Sequence, residues 1–291
     1  MKITLSRKIF VICNAVFLLL LSAICLYPML YVIFASFSDS MQLTSHIGLL
    51  FKPLGFNVSA YKAVLQNVSI GTGYRNTLIL VVTGTVWMVT LTSLAAYVLS
   101  RKSFMMKDFF MMFITFTMFF NGGLIPFYMV VKNIGLYDSM LSLIIPFSVS
   151  TYNLIIMRTS FAAVPRELEE AAIIDGANHW IILFKIFMPV SKAIIAVMVL
   201  YYGVGLWNGW FYSMVFLKDR EKFPLQLILR EILIQNDTSD MMIGVGTADS
   251  FGISESIKYA VIVVATLPIL CVYPFLQKYF IKGVMIGAVK G

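Results

Sequence analysis

The chain has 291 residues, of which 60% are hydrophobic and only 12% charged, with a formal net charge of +8. A soluble domain carries about a quarter of its residues as charges, so composition excludes a water-soluble globular protein. A mean hydropathy of +0.89 points instead to a polytopic membrane protein.

Six windows contain no Asp, Glu, Lys, Arg or His, at about 10–36, 76–100, 109–131, 139–157, 193–217 and 259–277. Each is long enough to cross a bilayer as a helix, and none alternates as a barrel strand would. The expectation is an all-α membrane protein with six transmembrane helices in a single domain covering 1–291. The first window follows Lys2, Arg7 and Lys8. A signal peptide would have a shorter apolar region ending in a small-residue cleavage site, so a retained first helix is expected. Pro28, Pro126, Pro146, Pro268 and Pro274 fall within the windows, where neighbouring helices can satisfy the freed carbonyls. Cys13, Cys25 and Cys271 also lie there without metal-ligand spacing, which argues for packing and against an aqueous disulfide framework.

With both termini placed in the cytoplasm, the inner segments are the N-terminus, 101–108, 158–192 and 278–291. They hold thirteen Lys/Arg and five Asp/Glu, whereas the outer loops 37–75, 132–138 and 218–258 hold nine of each. The whole net charge therefore falls on one face, as positive-inside bias requires. A pI of 9.3 then reflects topology and not a nucleic-acid surface. The expected location is the plasma membrane, with lipid as the surrounding solvent.

Residues 165–189 break the apolar pattern, with four acids between two long apolar runs. Pro165 suits a first helical position, and Glu167, Glu169 and Glu170 favour the positive end of a helix. Ala171 and Ala172 are small enough for a partner surface to approach. Gly176 can end this helix in a left-handed conformation and Asn178 can cap the next. Ile181, Ile182, Phe184 and Phe187 would give the second helix an apolar face on the inner membrane surface. The residues alone leave open an ordinary amphipathic helix lying on the membrane, or a scaffold recruiting a cytosolic partner.

The run Glu170-Ala171-Ala172, then Asp175-Gly176-Ala177, Ile186 and Pro189, resembles the Glu-Ala-Ala loop of permeases from binding-protein-dependent ABC importers. Met188 stands where Leu is usual and Ala193 where a second Pro often follows. A wider resemblance rests on Arg75-Asn76-Thr77-Leu78, Ser93–Tyr97, Gly122–Pro126, Asn133–Leu136 and the ending Gly283–Gly291. Together these look like the maltose-type carbohydrate permeases, most of all the subgroup for complex oligosaccharides in Gram-positive bacteria.

The resemblance implies a type I ABC importer permease fold with a cytoplasmic coupling helix, and assigns Glu167, Glu170, Ala171, Ala172, Asp175, Gly176 and Ala177 to ATPase coupling. It implies a sister permease subunit, two ATPase subunits, an extracellular solute-binding protein and an oligosaccharide substrate. The sequence contains no Gly-x-x-x-x-Gly-Lys-Ser/Thr. No cofactor or metal is therefore expected on this chain, and ATP and Mg belong to the partner ATPases. The tail 283–291 would reach toward that pair, and the outer loop 218–258 toward the binding protein. A permease for a different solute is the alternative within the class.

The windows lack the acids and histidines used as proton relays, which argues against a secondary transporter. His46 and His179 lie outside them and read as surface or interface residues. A sugar pathway needs neutral hydrogen-bonding groups and aromatic faces. The candidates are Asn121, Tyr128, Tyr152, Asn153, Tyr201, Tyr202 and Asn208, with Trp207 and Trp210 more readily explained as interfacial anchors.

Overall fold

The computed structural model describes residues 5–234, 255–271 and 274. The segments Asn236–Asp240 and Gly244–Asp249 of the last outer loop, the end of the sixth window and the tail 283–291 lie outside the described residues. In chain order the α-helices are α1 (Leu5–Ser36), α2 (Ser40–Ser45), α3 (Ser59–Gln66), α4 (Val68–Ser100), α5 (Lys107–Phe116), α6 (Leu124–Asn133), α7 (Thr151–Ala162), α8 (Arg166–Ile174), α9 (His179–Ile182), α10 (Met188–Val190), α11 (Lys192–Trp207), α12 (Phe211–Phe216) and α13 (Leu225–Ile234). Residues 255–271 form α14. Two compact units are distinguished, one from the chain up to Ile70 with Leu229–Leu267, the other centred on Gly71–Ile228.

In the first unit, α1 exposes almost its entire apolar length, including Phe10, Phe17, Leu19 and Leu20. That is what a helix surrounded by lipid requires. Cys13, Cys25 and Cys271 are exposed on their helices, so packing is not their role within the chain. At the end of α1, Asp39 caps α2 by accepting from Met41 N and Gln42 N. Ser256 N donates to Ser40 Oγ at 3.1 Å, and Ser256 Oγ donates to Ser38 O at 2.9 Å. Every one of these buried polar groups thereby has a partner.

In the second unit, α4 is the long element. The Asn76-Thr77 pair expected at the start of a span lies in its third turn and pins the segment after α12. Asn76 Nδ2 donates to Glu221 O at 2.6 Å and Phe223 O at 3.2 Å, and Leu225 N donates to Thr77 Oγ1 at 2.9 Å. Gly73 permits this approach, because a Cβ there would stand 3.1 Å from Leu225 Cα.

Among the described residues, α1 and α4 are each long and apolar enough to cross a bilayer alone. Two bent pairs meet the same test jointly, at 50° between Met140–Phe147 and α7 and at 87° between His179–Val190 and α11. The third window is broken as well. It ends α5 at Phe116, turns through 117–123 and restarts as α6. Gly123 takes φ +87° and its N–H donates to Asn121 Oδ1 at 2.8 Å. Pro126 therefore sits in the first turn of a new helix, where a missing N–H is harmless, and not in mid-span. Pro146 likewise sits at the start of a 3₁₀ turn, Ile145–Phe147.

Two cores hold this unit. One gathers Met88, Val89, Ala96, Tyr97 and Leu99 of α4 with Leu154, Met157 and Phe161 of α7, Ala172 of α8, and Val197, Met198 and Tyr202 of α11. The other joins Leu80 to Val131, Leu143, Ile144, Phe216 and Leu217. Beside the second, Asp138 adopts φ +57°, which Asp tolerates better than most residues. Its Oδ1 accepts from Lys218 N and Asp219 N at 3.0 Å each, and Lys222 Nζ donates to Oδ2 at 3.0 Å. The two backbone donors, helped by Lys222, pull the carboxyl down from 3.8 to about 2.

Two outcomes follow from these contacts. Because the folded-state pKa of Asp138 lies below its unfolded value, its stabilisation is complete above about pH 4 and fades as pH falls toward 2. Asp138→Asn should flatten the loss of thermal stability between those two pH values. A pH profile identical to wild type would rule Asp138 out as its source. Asn76→Ala leaves two carbonyls without their donor and should cost about 1–3 kcal/mol in thermal unfolding.

Candidate functional site

The polar elbow forms as two helices around one glycine. In α8 the first turn carries Glu167 and Glu169, with Pro165 just outside as the cap residue at φ −56°, ψ 135°. The helix closes on Gly176, whose φ of +78° L side chains rarely adopt. Gly176 N donates to Ile173 O at 3.0 Å and Ala177 N to Ala172 O at 2.9 Å. Asn178 then caps α9, its Oδ1 accepting from Ile181 N at 2.9 Å. After α9 comes a π turn, Leu183–Phe187, before α10. Pro189 lacks the N–H that would return to Lys185, which loosens regular α-helix here.

Of the residues the sequence assigns to coupling, Glu167, Glu170, Ala171, Asp175 and Gly176 are exposed. Ala172 and Ala177 are not on that surface. Ala172 is buried and Ala177 half-buried against the same core, where their small size lets the elbow seat closely. The exposed apolar residue at the tip is Ile174, at 85% exposure, next to Ile173. Its signal in the sequence is the Ile-Ile pair immediately before Asp175-Gly176.

The second half of the elbow is also divided differently from expectation. Ile182 and Phe187 are fully buried, and only Ile181 and Phe184 stay outside. Trp180 joins that outer face, its ring parallel to Phe184 with centroids 6.2 Å apart.

Beneath the elbow, the end of α4 presents charge to it. The Arg101 guanidinium pairs with Glu169, and both side chains are mostly buried. Arg101 Cζ lies 5.0 Å from the Tyr97 ring centre and 4.4 Å from that of Phe187. Tyr97 OH lies 3.1 Å from His179 Nδ1, which makes His179 an interface residue inside the chain.

Deeper in the unit, a cavity of about 590 Å³ opens between the Pro146–Ser150 turn, α7 and the break between α11 and α12. Asn153, Tyr202 and Asn208 line it together, joined by Tyr201, Trp210 and Tyr212. Tyr202 OH accepts from Ser150 N at 3.0 Å and lies 2.7 Å from Thr92 Oγ1, so it also closes the break before α7. Among the described residues, no acid, Lys, Arg or His lines it.

The other three candidates lie elsewhere. Asn121 caps the turn before α6. Tyr128 packs on Tyr137 and Phe216. Tyr152 is 55% exposed, its ring 6.3 Å from that of Tyr201. Trp210, set aside in the sequence as an anchor, belongs to the cavity. Trp207 is buried with its ring edge-on to Tyr74.

Residues 88–286 match the family described as the binding-protein-dependent transport system inner membrane component. Protein LplC of Bacillus subtilis (strain 168) is 38% identical over 288 residues, covering 99% of this chain and 97% of its own. The polygalacturonan/rhamnogalacturonan transport system permease protein YtcP of the same organism is 41% identical over 94% of this chain and 96% of its own. The crystal structure of a bacterial ABC transporter involved in the import of the acidic polysaccharide alginate contains a chain that superimposes with TM-score 0.90 at 34% identity, covering 96% of this chain and 99% of that one. With family match, end-to-end relatives and fold in agreement, the chain belongs to the inner-membrane permease components of binding-protein-dependent ABC importers.

Proposed function

We propose that this chain is the permease subunit through which an ATP-driven, binding-protein-dependent importer passes oligosaccharides. The cavity carries the substrate half of this reading. It offers amides, hydroxyls and aromatic faces from Asn153, Asn208, Tyr201, Tyr202 and Trp210, and no charged side chain. Such a lining suits sugar hydroxyls and the apolar faces of pyranose rings. The related permeases named for polygalacturonan/rhamnogalacturonan, arabinooligosaccharides and diacetylchitobiose support the substrate class.

The elbow carries the energy half. Its exposed acids, Ala171 and the projecting Ile174 form a docking face for an ATPase subunit, with Gly176 fixing the angle between α8 and α9. ATP and Mg bind on two partner ATPase chains, and the second half of the pathway comes from a sister permease. ATP binding closes the ATPases, displaces the elbows and turns the cavity outward, where a docked solute-binding protein releases the sugar. Such a switch requires the ATP-bound ATPases to favour one transmembrane state. Both termini face the cytoplasm, as the charge asymmetry indicates.

Gly176→Pro cannot adopt the positive φ and loses the bond to Ile173 O. The variant should reach the membrane yet fail in ATP-driven uptake, and normal uptake would remove the elbow from the mechanism. In the cavity, Asn153→Ala removes one neutral hydrogen-bonding group and should weaken uptake roughly two- to tenfold. Measured with neutral and uronic-acid oligosaccharides in parallel, the loss should be similar for both. A loss confined to the acidic sugars would contradict the neutral-lining argument.

A further inference from the structure

The last turn of α4 collects polar contacts from three helices. Arg158 of α7 donates Nε to Leu99 O at 3.2 Å. Arg101, just beyond the helix, pairs with Glu169 of α8. Tyr97, one turn earlier, meets His179 at the start of α9. Both halves of the elbow are thereby tied to the same turn of α4.

Positive-inside bias accounts for the exposed Lys102 but not for the position of Arg101. Its side chain is 12% exposed and that of Glu169 17%, with the guanidinium stacked on Tyr97 and Phe187. A planar, delocalised cation suits such a stack better than an ammonium does. A separate cavity of about 510 Å³ adjoins the site, walled by Tyr97, Arg101, His179 and Trp180. Around that cavity α9 and α4 are not packed flush, and the Tyr97–His179 contact bridges them beside the apolar core they share. Removing one partner of a largely buried ion pair also costs far more than losing an exposed one, so α8 cannot part from α4 cheaply.

We propose that the Arg101–Glu169 pair, set beside the Tyr97 and Phe187 rings, is a positioning clamp that delivers displacement of the elbow to α4. The inference rests on the elbow being the coupling element. The same helix lines the transport cavity at Met88, roughly 20 Å further along its axis. Arg101 and Glu169 thus act through α4 and touch neither ATP nor sugar.

The test uses the complete importer in proteoliposomes, with ATP hydrolysis and oligosaccharide uptake measured on the same vesicles. Arg101→Gln and Glu169→Gln each keep side-chain bulk and lose the charge. Uptake per ATP hydrolysed should fall at least about fivefold, the lower end of typical coupling between sites, while hydrolysis stays within about twofold of wild type. Arg101→Lys, which retains charge without the flat stack, should fall between. Exchanging the charges, Arg101→Glu with Glu169→Arg, should recover part of the loss if the two side chains act as a pair.

Unchanged uptake per ATP in both glutamine variants overturns the clamp. Loss of the ATPase subunits from the complex also overturns it, since the pair would then build the docking face instead of transmitting motion. Should the glutamine variants fail to reach the membrane, Arg101→Lys and Tyr97→Phe carry the test, and unchanged uptake per ATP in both overturns the proposal. Normal uptake by Gly176→Pro would remove the elbow itself. Failure there with a normal ratio in Arg101→Gln would remove the clamp alone.

Discussion

A bilayer offers no hydrogen bonds, so each interruption of a membrane helix must be satisfied by the protein itself. That constraint fixes where this chain can break. The turn after α5 is closed by Asn121 on Gly123 N, and the break before α7 by the Tyr202 hydroxyl on Ser150 N. The break after α11 is closed by its own backbone, Asn208 N to Val204 O and Gly209 N to Leu206 O. The second and third of these line the same cavity. Irregular backbone at membrane depth is tolerated where it borders a cavity. At these two breaks the polar groups that terminate the helices also line the cavity.

The elbow presents two unlike faces. Ala172, Ile182, Leu183 and Phe187 anchor it in the core shared with α4, α7 and α11. Glu167, Glu170, Ile174 and Asp175 remain outside. One face is therefore continuous with the membrane helices while the other is free for docking, and the positive φ of Gly176 sets the angle between the halves. A rigid insertion of this kind passes a displacement into the helices, because a close-packed core does not deform continuously.

Much of this was legible in the sequence, and the misses share a cause. The first two apolar windows coincide with α1 and α4, each long enough to cross a bilayer, and Asp175-Gly176 and Asn178 marked the elbow's break and cap correctly. Hydropathy averages over neighbours, so it could not see that windows three, four and five are each interrupted. The run Asn121-Gly122-Gly123 was the local signal for the first of these breaks. Facing was the other blind spot. Ala172 and Ala171 are adjacent and chemically identical, yet a helix turns them apart, one into the core and one to the surface. Likewise Asn153 and Asn208 meet in the cavity while Asn121 serves a turn, a distinction that only tertiary placement supplies.

The placement of charge links both halves of the molecule's work. A charge at membrane depth costs stability unless it is paired. The windows exclude charge and the cavity follows suit. At the junction between α4 and the elbow the chain nevertheless keeps an arginine that is mostly buried. Its guanidinium has the Glu169 carboxylate on α8, and the rings of Tyr97 and Phe187 supply attraction from their faces. An ion pair retained at such cost adds little to stability over an apolar pair of the same volume. What an apolar pair would lack is a preferred partner, since any greasy surface would serve it as well. The Arg101–Glu169 pair forms in one register of α8 on α4, which is the property a mechanical linkage needs.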